Sequence, residues 1–151
     1  MDKDKYSSLK LENQICFPLY AASREVIRLY RPFLDDLELT YTQYIAMMVF
    51  WENKTMNVKE LGQKLYLDSG TLTPVLKSLE SKGYVTRRRS KDDERVLVVT
   101  LTEKGEALRE KALSVPESIG GCINLEPHES ATLYKLLYKL LQNIEDEEEE
   151  E

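Results

Sequence analysis

A cysteine near the start of the chain, Cys16, lies in a context that favours thiol chemistry. Pro18 follows two residues later, and a proline is tolerated in the first turn of a helix but not deep inside one. Cys16 is therefore expected at or beside a helix N-terminus, where the dipole and free N–H groups stabilise a thiolate, the reactive form. Oxidation would give a sulfenic acid that a second thiol captures as a disulfide. The alternative is a small buried apolar side chain, which cysteine often is.

The second cysteine, Cys122, follows Gly120 and Gly121, and from the residues alone it remains either an inert thiol or a partner for oxidation. His128 is the single histidine, so two distant cysteines and one histidine provide no metal-ligand spacing. We find neither a phosphate-binding glycine loop nor a triad-like set. The sequence predicts no metal, no cofactor and no enzyme.

A basic region lies in the middle of an acidic chain. Residues 54–95 contain ten Lys and Arg against six Asp and Glu, a net charge of +4, whereas the whole chain has −6. Local positive charge determines affinity for phosphates more than net charge does. Much of the negative charge lies in residues 145–151, which we predict to be a solvated, frayed tail.

Two short helices within this region form a predicted helix-turn-helix. Leu72, Val75, Leu76 and Leu79 make the apolar stripe of the second helix, which would lock it onto the first. Its other face would be free for the major groove. That face carries small hydroxyl groups, a proline and a lysine: Ser69, Thr71, Thr73, Pro74, Lys77 and Ser81. The alternative is an ordinary helical hairpin whose polar face meets water.

A basic hairpin follows the helix pair. Arg87-Arg88-Arg89 lie on one predicted strand, and Lys91 and Arg95 lie at the tip, where a narrow cationic element can enter a minor groove. Asp93 is two residues from Arg95 and could orient it. The alternative is a solvated charged strand. The predicted DNA-binding residues are Ser69, Thr71, Thr73, Lys77, Arg87, Arg89, Asp93 and Arg95.

The elements that must position these residues are mostly helices. We predict a first helix over about residues 13–32, a second from Thr40 to Glu52 and a third from Asn57. The fourth is capped by Asp68 or Ser69 and stopped by Gly83. The strands are expected at residues 84–89 and 96–101.

The C-terminal part is expected to hold two more helices. Thr102 opens the fifth helix, which Pro116 and the glycine pair at residues 120–121 bend or break. Pro127 fits the start of a last helix ending near residue 144. Apolar stripes on the terminal helices predict a dimer interface, although each helix could instead pack only on its own chain.

Length and composition limit the possible classes of protein. The 151 residues suit one domain, and no apolar run approaches the roughly 20 residues that a membrane span needs. The charged N-terminus lacks the apolar stretch of a signal peptide, so we expect a cytoplasmic protein without membrane contact.

The order of these elements, with Gly83-Tyr84-Val85-Thr86-Arg87, Asp93-Glu94-Arg95 and Leu101-Thr102, resembles the MarR family of winged helix-turn-helix regulators. The resemblance covers nearly the whole chain. It implies a mainly α fold with a small β-hairpin wing, and a single domain over residues 1–151. Dimerisation helices would span about residues 9–35 and 103–144, and the winged helix-turn-helix about 40–101. The family implies a homodimer on double-stranded DNA, bound to a pseudo-palindromic operator with half-sites about 10 base pairs apart.

Two strings are similar to the organic-hydroperoxide-sensing branch of that family. They are Asn13-Gln14-Ile15-Cys16-Phe17 with Leu19-Tyr20, and the run from Tyr66 to Pro74. The branch implies that Cys16 is the peroxidatic thiol and that tyrosines hydrogen-bond its thiolate. Tyr30 matches the main one, and Tyr20 and Tyr41 are further candidates; the alternative for them is packing at helix contacts. Pro18 departs from the branch pattern. Members with a second cysteine near Cys122 pair it with the N-terminal cysteine of the other subunit, so Cys122 either resolves oxidised Cys16 or is a bystander.

The sequence therefore predicts a redox-sensing repressor that an organic hydroperoxide or related oxidant releases from its operator. The main alternative is a MarR-type repressor that responds to a small aromatic or phenolic ligand, with Cys16 incidental. A thiol peroxidase and a helical protein-interaction module are further alternatives. Release of DNA by peroxide discriminates the first hypothesis from the others.

Overall fold

The computed structural model describes residues 4–151, so the first three residues of the charged N-terminus lie outside the described part. Two short 3-10 turns, Ser7–Leu9 and Leu11–Asn13, precede the first helix. The helices and strands are α1 (Cys16–Asp35), α2 (Tyr41–Asn53), β1 (Thr55–Asn57), α3 (Val58–Leu65), α4 (Ser69–Ser81), β2 (Val85–Arg89), β3 (Leu97–Leu101), α5 (Glu103–Ala112), α6 (Val115–Ile123) and α7 (Pro127–Glu150). The predicted class, mainly helical with a small β element, is confirmed.

The helix starts follow from side-chain caps. Thr40 and Gln43 form a reciprocal capping box at α2, in which each side chain bonds the other residue's backbone N–H. Asn57 caps α3 and Asp68 caps α4 through backbone N–H groups three residues on. Gly83 has a φ of +82°, which L side chains rarely adopt, and ends the fourth helix as predicted. Local sequence was therefore sufficient to predict these boundaries.

The sheet has three strands in the order β1-β3-β2, all antiparallel. The hairpin of β2 and β3 is as predicted, but β1 was missed. β1 has only three residues, and it pairs Thr55 with Thr100, which is distant in sequence. Its last residue, Asn57, is also the cap of α3, so the local pattern predicted only a helix start.

The core lies in the first of two compact units, which ends at Ile119. α2 is its centre, with Ala46, Met47 and Phe50 fully buried. α3 and α4 add Leu61, Leu72, Leu76 and Leu79, and the sheet adds Val85 and Val99. The apolar stripe predicted for α4 thus holds the helix pair together and leaves the opposite face of α4 exposed.

The second unit, Gly120–Glu151, consists of the end of α6 and the long helix α7. α7 starts with a capping box between Glu126 and Glu129, with Pro127 as its first residue. Many apolar side chains of this helix are exposed in the single chain: Leu133, Tyr134, Leu136, Tyr138, Leu140 and Ile144.

Two predicted boundaries were wrong, and one was confirmed. α1 continues through Pro32 to Asp35, because Leu34 and Phe33 pack against the core and sustain the last turn. The predicted break near Pro116 is confirmed: α5 ends at Ala112, and Pro116 lies in the first turn of α6, where a missing N–H costs little. Gly120 and Gly121 lie inside α6 rather than breaking it.

The acidic tail is exposed from residue 146 on, as predicted, but the prediction that it is frayed was wrong. Residues 145–150 extend α7, which ends at Glu150, instead of forming a frayed end after residue 144. Glutamate is a good helix former, so a helix already nucleated upstream continues through it. Among residues 4–151, no helix has the length and apolar character needed to cross a membrane.

Gly105 provides a prediction about stability. A Cβ at this position would lie 2.2 Å from the backbone oxygen of Tyr84 and 2.6 Å from Leu101 Cδ1, and the Gly105 carbonyl accepts a hydrogen bond of 2.9 Å from Trp51 Nε1. Gly105→Ala should therefore lower the free energy of unfolding by about 3 kcal/mol, the upper part of the usual range for overpacking. Urea unfolding measures it. Gly120→Ala is the matched control, because nothing lies within 4 Å of its Cβ and the variant should be at least as stable as the wild type. Equal stability of Gly105→Ala and the wild type would contradict the close approach.

Candidate redox centre and nucleic-acid interface

Cys16 is the first residue of α1 and is exposed. The preceding residue, Ile15, occupies the N-cap position without a side-chain cap, so the first N–H groups of the helix are not satisfied by a capping side chain. Ile15 and Phe17 are 85% and 43% exposed, so an apolar surface flanks the thiol. The predicted position at a helix N-terminus is what the structure shows, and the alternative of a buried apolar cysteine does not hold within this chain.

Of the three candidate tyrosines, Tyr20 is the nearest to Cys16 along the helix. It lies four residues on, which places it on the same face of α1 one turn away. Its hydroxyl accepts a hydrogen bond of 3.3 Å from Arg24 Nη1, and the Arg24 guanidinium also lies over the Tyr20 ring. The Tyr20 side chain is 57% exposed.

Tyr30 cannot reach Cys16 within one chain. Both lie on the continuous helix α1, and fourteen residues at 1.5 Å each separate them by about 21 Å along the axis. Tyr30 instead packs against α2, with ring centroids 4.9 Å from Tyr41 and 5.9 Å from Tyr44. A hydrogen bond between the Tyr30 hydroxyl and the Cys16 thiolate therefore requires two subunits.

We call Tyr30, Tyr41 and Tyr44 the tyrosine cluster. Burial raises the pKa of each phenol above its usual value, with a smaller contribution from mutual repulsion for Tyr30 and Tyr44. All three hydroxyls therefore remain protonated, and able to donate, at neutral pH. Tyr44 was missed at the sequence level, although its position three residues after Tyr41 puts both on neighbouring turns of α2.

Cys122 lies in the last turn of α6 and is exposed. The two preceding glycines carry no side chain, and nothing lies within 4 Å of a Cβ added at either. The backbone around the second thiol is therefore sterically unhindered.

The exposed face of α4 carries the predicted DNA-contacting side chains Ser69, Thr71, Thr73 and Lys77. Asp68 accepts a hydrogen bond of 2.6 Å from the backbone N–H of Thr71, and this bond, with a weaker one from the Thr71 hydroxyl, lowers the pKa of the Asp68 carboxyl. Thr73 Oγ1 donates to the Ser69 carbonyl at 2.7 Å, so its lone pairs face outward as acceptors. The first turn of α4 is thus well ordered and exposed.

At the tip of the hairpin, Asp93 holds Arg95. Arg95 Nε and Nη2 donate to the two carboxylate oxygens of Asp93 at 3.1 and 3.2 Å, and the Arg95 backbone N–H donates to Asp93 Oδ1 at 3.0 Å. These bonds lower the pKa of Asp93, the side-chain bond most. The Arg95 side chain is still 91% exposed, so it projects from the tip in one orientation. This is the local arrangement that the spacing of the two residues predicted.

Arg87 is not the free cation that the arginine run predicted. Its guanidinium donates to Glu80 Oε1 at 3.1 and 3.3 Å, and its backbone N–H donates to Glu80 Oε2 at 2.9 Å. Its side chain is only 20% exposed. Arg87 therefore joins β2 to α4 from the strand face that also carries the buried Val85, whereas Arg88 and Arg89 are exposed. Nothing in the sequence indicated Glu80 as the partner of Arg87.

A buried amide joins α2 to the same helix. Gln43 Nε2 donates to Ser78 Oγ at 3.0 Å, and Gln43 Oε1 accepts from Lys82 Nζ at 3.1 Å. Lys82 Nζ also donates to the carbonyl of Glu38. Gln43 is the one polar residue among the buried positions of the described chain. Sequence analysis used Gln43 only as a capping residue and missed its second role.

No group of three or more His, Cys, Asp or Glu that could hold a metal ion occurs within residues 4–151. The described candidate sites are therefore the thiol at the start of α1, the tyrosine cluster, and the exposed face of α4 with the hairpin tip.

Comparison with known proteins gives consistent matches. Residues 28–112 match the family model described as transcriptional regulator SarA/Rot. The organic hydroperoxide resistance transcriptional regulator of Bacillus subtilis (strain 168) is 47% identical over 142 residues, which cover 94% of this chain and 97% of that protein.

Solved structures of AbfR, a protein of Staphylococcus epidermidis, are also similar. Its reduced and overoxidised forms, both bound to DNA, are 35% identical, with a TM-score of 0.74 over 93% of this chain and 98% of theirs. Its disulfide form is 36% identical, with a TM-score of 0.62 over 91% of this chain and 96% of its own. A mutant MarR from E. coli in complex with operator DNA is 28% identical, with a TM-score of 0.78 over 91% of this chain and 99% of that one.

Proposed function

Because the chain belongs to the MarR/SarA family of winged-helix transcriptional regulators, in the branch of organic hydroperoxide regulators, we propose that it is a repressor released by oxidation of Cys16. In this proposal the reduced protein binds double-stranded operator DNA in the cytoplasm, and an organic hydroperoxide is the effector. The observation that carries it is the exposed Cys16 at the start of α1, in a chain whose α4 face is exposed as well. It is a regulator and not an enzyme.

The proposed DNA interface consists of α4 and the hairpin. Ser69, Thr71, Thr73 and Lys77 would face the major groove, and Arg89 and Arg95 the phosphates or the minor groove. Asp93 would act by orienting Arg95, and Arg87 by holding the hairpin to α4 through Glu80. Solved relatives bound to DNA support DNA binding by this fold.

A homodimer is part of the proposal. The two recognition helices would enter successive major grooves of a pseudo-palindromic operator, as symmetric half-sites require. The exposed apolar side chains of the N-terminal region and of α7 support an interface between copies of this chain, since they are numerous for a surface that stays in water. We keep residues 1–151 as one functional domain, with dimerisation regions at about 9–35 and 103–144.

The dimer would also complete the redox centre. Since α1 separates Cys16 from Tyr30 by about 21 Å, we propose that the hydroxyl of Tyr30 of the partner subunit donates to the Cys16 thiolate. Tyr20 is close along α1 and Tyr41 supports Tyr30 through its ring. The Tyr30 hydroxyl is protonated at neutral pH, as a donor to a thiolate must be, and its raised pKa leaves this unchanged.

Tyr30→Phe should leave operator binding nearly intact and slow the alkylation of Cys16. Loss of one hydrogen bond to a charged group costs roughly 1.5–3 kcal/mol, an equilibrium factor of about tenfold or more, so alkylation should slow by up to that factor. Timed alkylation with mass spectrometry measures it. Tyr134→Phe on α7 is the control and should react at the wild-type rate. An unchanged rate for Tyr30→Phe would leave Tyr30 with a packing role only.

The proposed chemistry uses the hydroperoxide as the oxidant. The Cys16 thiolate attacks the terminal peroxide oxygen, an S–O bond forms and the O–O bond breaks, and Cys16 becomes a sulfenic acid. The alkoxide that leaves takes a proton from water and becomes an alcohol, with hydroxide as the other product. The thiol of Cys122 of the partner subunit would then attack this sulfur, forming the disulfide and releasing water. A disulfide requires Cα atoms within roughly 4.4–6.8 Å, so its closure constrains the geometry of the dimer.

AbfR occurs on DNA in reduced and overoxidised forms, and as a separate disulfide form. By analogy, we propose that the disulfide, rather than oxidation of Cys16 alone, releases this protein. Cys122→Ser should then remain on the operator after peroxide, and non-reducing gels should show no covalent dimer. Release equal to that of the wild type would make Cys122 a bystander and assign the release to the sulfenic acid.

The decisive experiment measures operator affinity with and without oxidant. A fluorescein-labelled duplex, selected from a random pool by the reduced wild-type protein, is titrated before and after cumene hydroperoxide. We expect tight, salt-dependent binding that peroxide abolishes and dithiothreitol restores. Binding unaffected by peroxide but weakened by a phenolic ligand such as salicylate would favour the alternative, a ligand-responsive MarR-type repressor.

A further inference from the structure

The first turn of α2 contacts both the tyrosine cluster and the recognition helix. Tyr41 and Tyr44 lie against Tyr30 of α1, at centroid distances of 4.9 and 5.9 Å. Gln43, between them in sequence, bonds Ser78 and Lys82 of α4 and its C-cap. Residues one and two apart project from different sides of a helix, so one helical turn is held by α1 on one side and by α4 on another.

The bonds from Gln43 are directional and buried. Its side chain amide is a donor to Ser78 Oγ at 3.0 Å, while its oxygen accepts from both Lys82 Nζ and the backbone N–H of Thr40, each at 3.1 Å. The residue is only 7% exposed, so water cannot replace these partners without cost. A displacement of the first turn of α2 therefore either moves α4 with it or leaves polar groups unpaired.

We infer that Gln43 is a positioning residue that transmits the state of the tyrosine cluster to the recognition helix α4. The inference rests on the proposed function, in which Tyr30 donates a hydrogen bond to the Cys16 thiolate across the dimer, a bond that is lost when Cys16 enters the disulfide. When Tyr30 moves, its ring contacts shift Tyr41 and Tyr44 and thus the first turn of α2. The bonds from Gln43 then shift α4 and change the spacing of the two recognition helices.

The alternative is that Gln43 only stabilises the fold. A purely structural residue would change stability, and it would change operator affinity equally in the reduced and oxidised states. A transmitting residue has different consequences in the two states, because an effector acts only through interactions that differ between them. The ratio of operator Kd values, oxidised over reduced, separates the two roles.

The test is Gln43→Leu, which keeps a side chain of similar size and removes both hydrogen-bonding groups. Kd values are measured on the selected fluorescein-labelled duplex before and after cumene hydroperoxide, and thiol alkylation follows the oxidation of Cys16 in the same samples. We expect Cys16 to be oxidised at the wild-type rate, and the Kd ratio to fall tenfold or more. Ser78→Ala removes one of the two bonds to α4 and keeps Gln43 and its capping box, and it should lower the ratio in the same direction.

Asn57→Ala is the matched control. It removes another helix cap within the helix-turn-helix, the bond from Asn57 Oδ1 to the Glu60 N–H at 2.8 Å, which has no part in the contact between α2 and α4. Its Kd ratio should equal that of the wild type even if its stability falls. A wild-type Kd ratio in both Gln43→Leu and Ser78→Ala would overturn this inference but not the proposed function. Failure of peroxide to release the wild-type protein would overturn the proposed function and this inference with it.

Discussion

Cys16→Ser should bind the operator as tightly as the reduced wild-type protein and should remain bound at peroxide concentrations that release the wild type completely. Serine is nearly isosteric with cysteine, and Cys16 is exposed at the start of α1, so the substitution should not disturb the fold. A hydroxyl group is not converted to a sulfenic acid, so neither this species nor a disulfide can form. Fluorescence anisotropy on the selected duplex measures the binding.

The effect should be a complete loss of the response rather than a shift in its midpoint, because the proposal contains a single peroxidatic thiol per subunit. Cys122→Ser should also stay bound, and alkylation distinguishes the two variants, since Cys122→Ser retains Cys16 and its reaction with peroxide. Alkylation should show an oxidised Cys16 in that variant. Release of Cys16→Ser by peroxide with wild-type sensitivity would mean that another group senses the oxidant.

Arg95→Ala should weaken operator binding and flatten its dependence on salt. The side chain is 91% exposed yet held by two bonds to Asp93, so it is oriented at the tip of the hairpin before DNA arrives. A dimer would lose two such cations. At about 1 kcal/mol or more for each, the Kd should rise roughly 30-fold or more, and the salt slope should fall by about one for each lost phosphate contact.

Arg109→Ala is the matched control for Arg95→Ala. Arg109 is also an exposed arginine in an ion pair with a nearby carboxylate, Glu106 at 3.3 Å, but it lies on α5 and not on the hairpin. Its Kd and salt slope should equal those of the wild type. An unchanged slope for Arg95→Ala would remove the hairpin tip from the DNA interface. Asp93→Ala should give a smaller loss than Arg95→Ala, since the cation remains but is no longer oriented.

Local patterns in the sequence were sufficient to predict most of the fold. Caps, helix breakers and apolar periodicity act over three or four residues, so Thr40, Asn57, Asp68 and Gly83 indicate their boundaries without knowledge of the rest of the chain. The placement of Cys16 at a helix start and the pairing of Asp93 with Arg95 are of the same kind. Each depends only on neighbours along the chain.

The structure decided what depends on residues distant in sequence. The three-residue β1 exists because it pairs with β3. Arg87 is occupied because the chain turns back after α4 and brings it to Glu80, a contact that no local pattern indicated. Gln43 reaches Ser78 across 35 positions of sequence.

Tyr30 is the clearest case. The similarity of its motif implied that its hydroxyl hydrogen-bonds the Cys16 thiolate. A continuous helix separates the two by about 21 Å, so that assignment holds only across two subunits. Sequence alone thus determined which groups are candidates to react or bind and where helices begin, because those properties are local. Which of these groups meet depends on the path of the chain through space, and only the tertiary structure decided it.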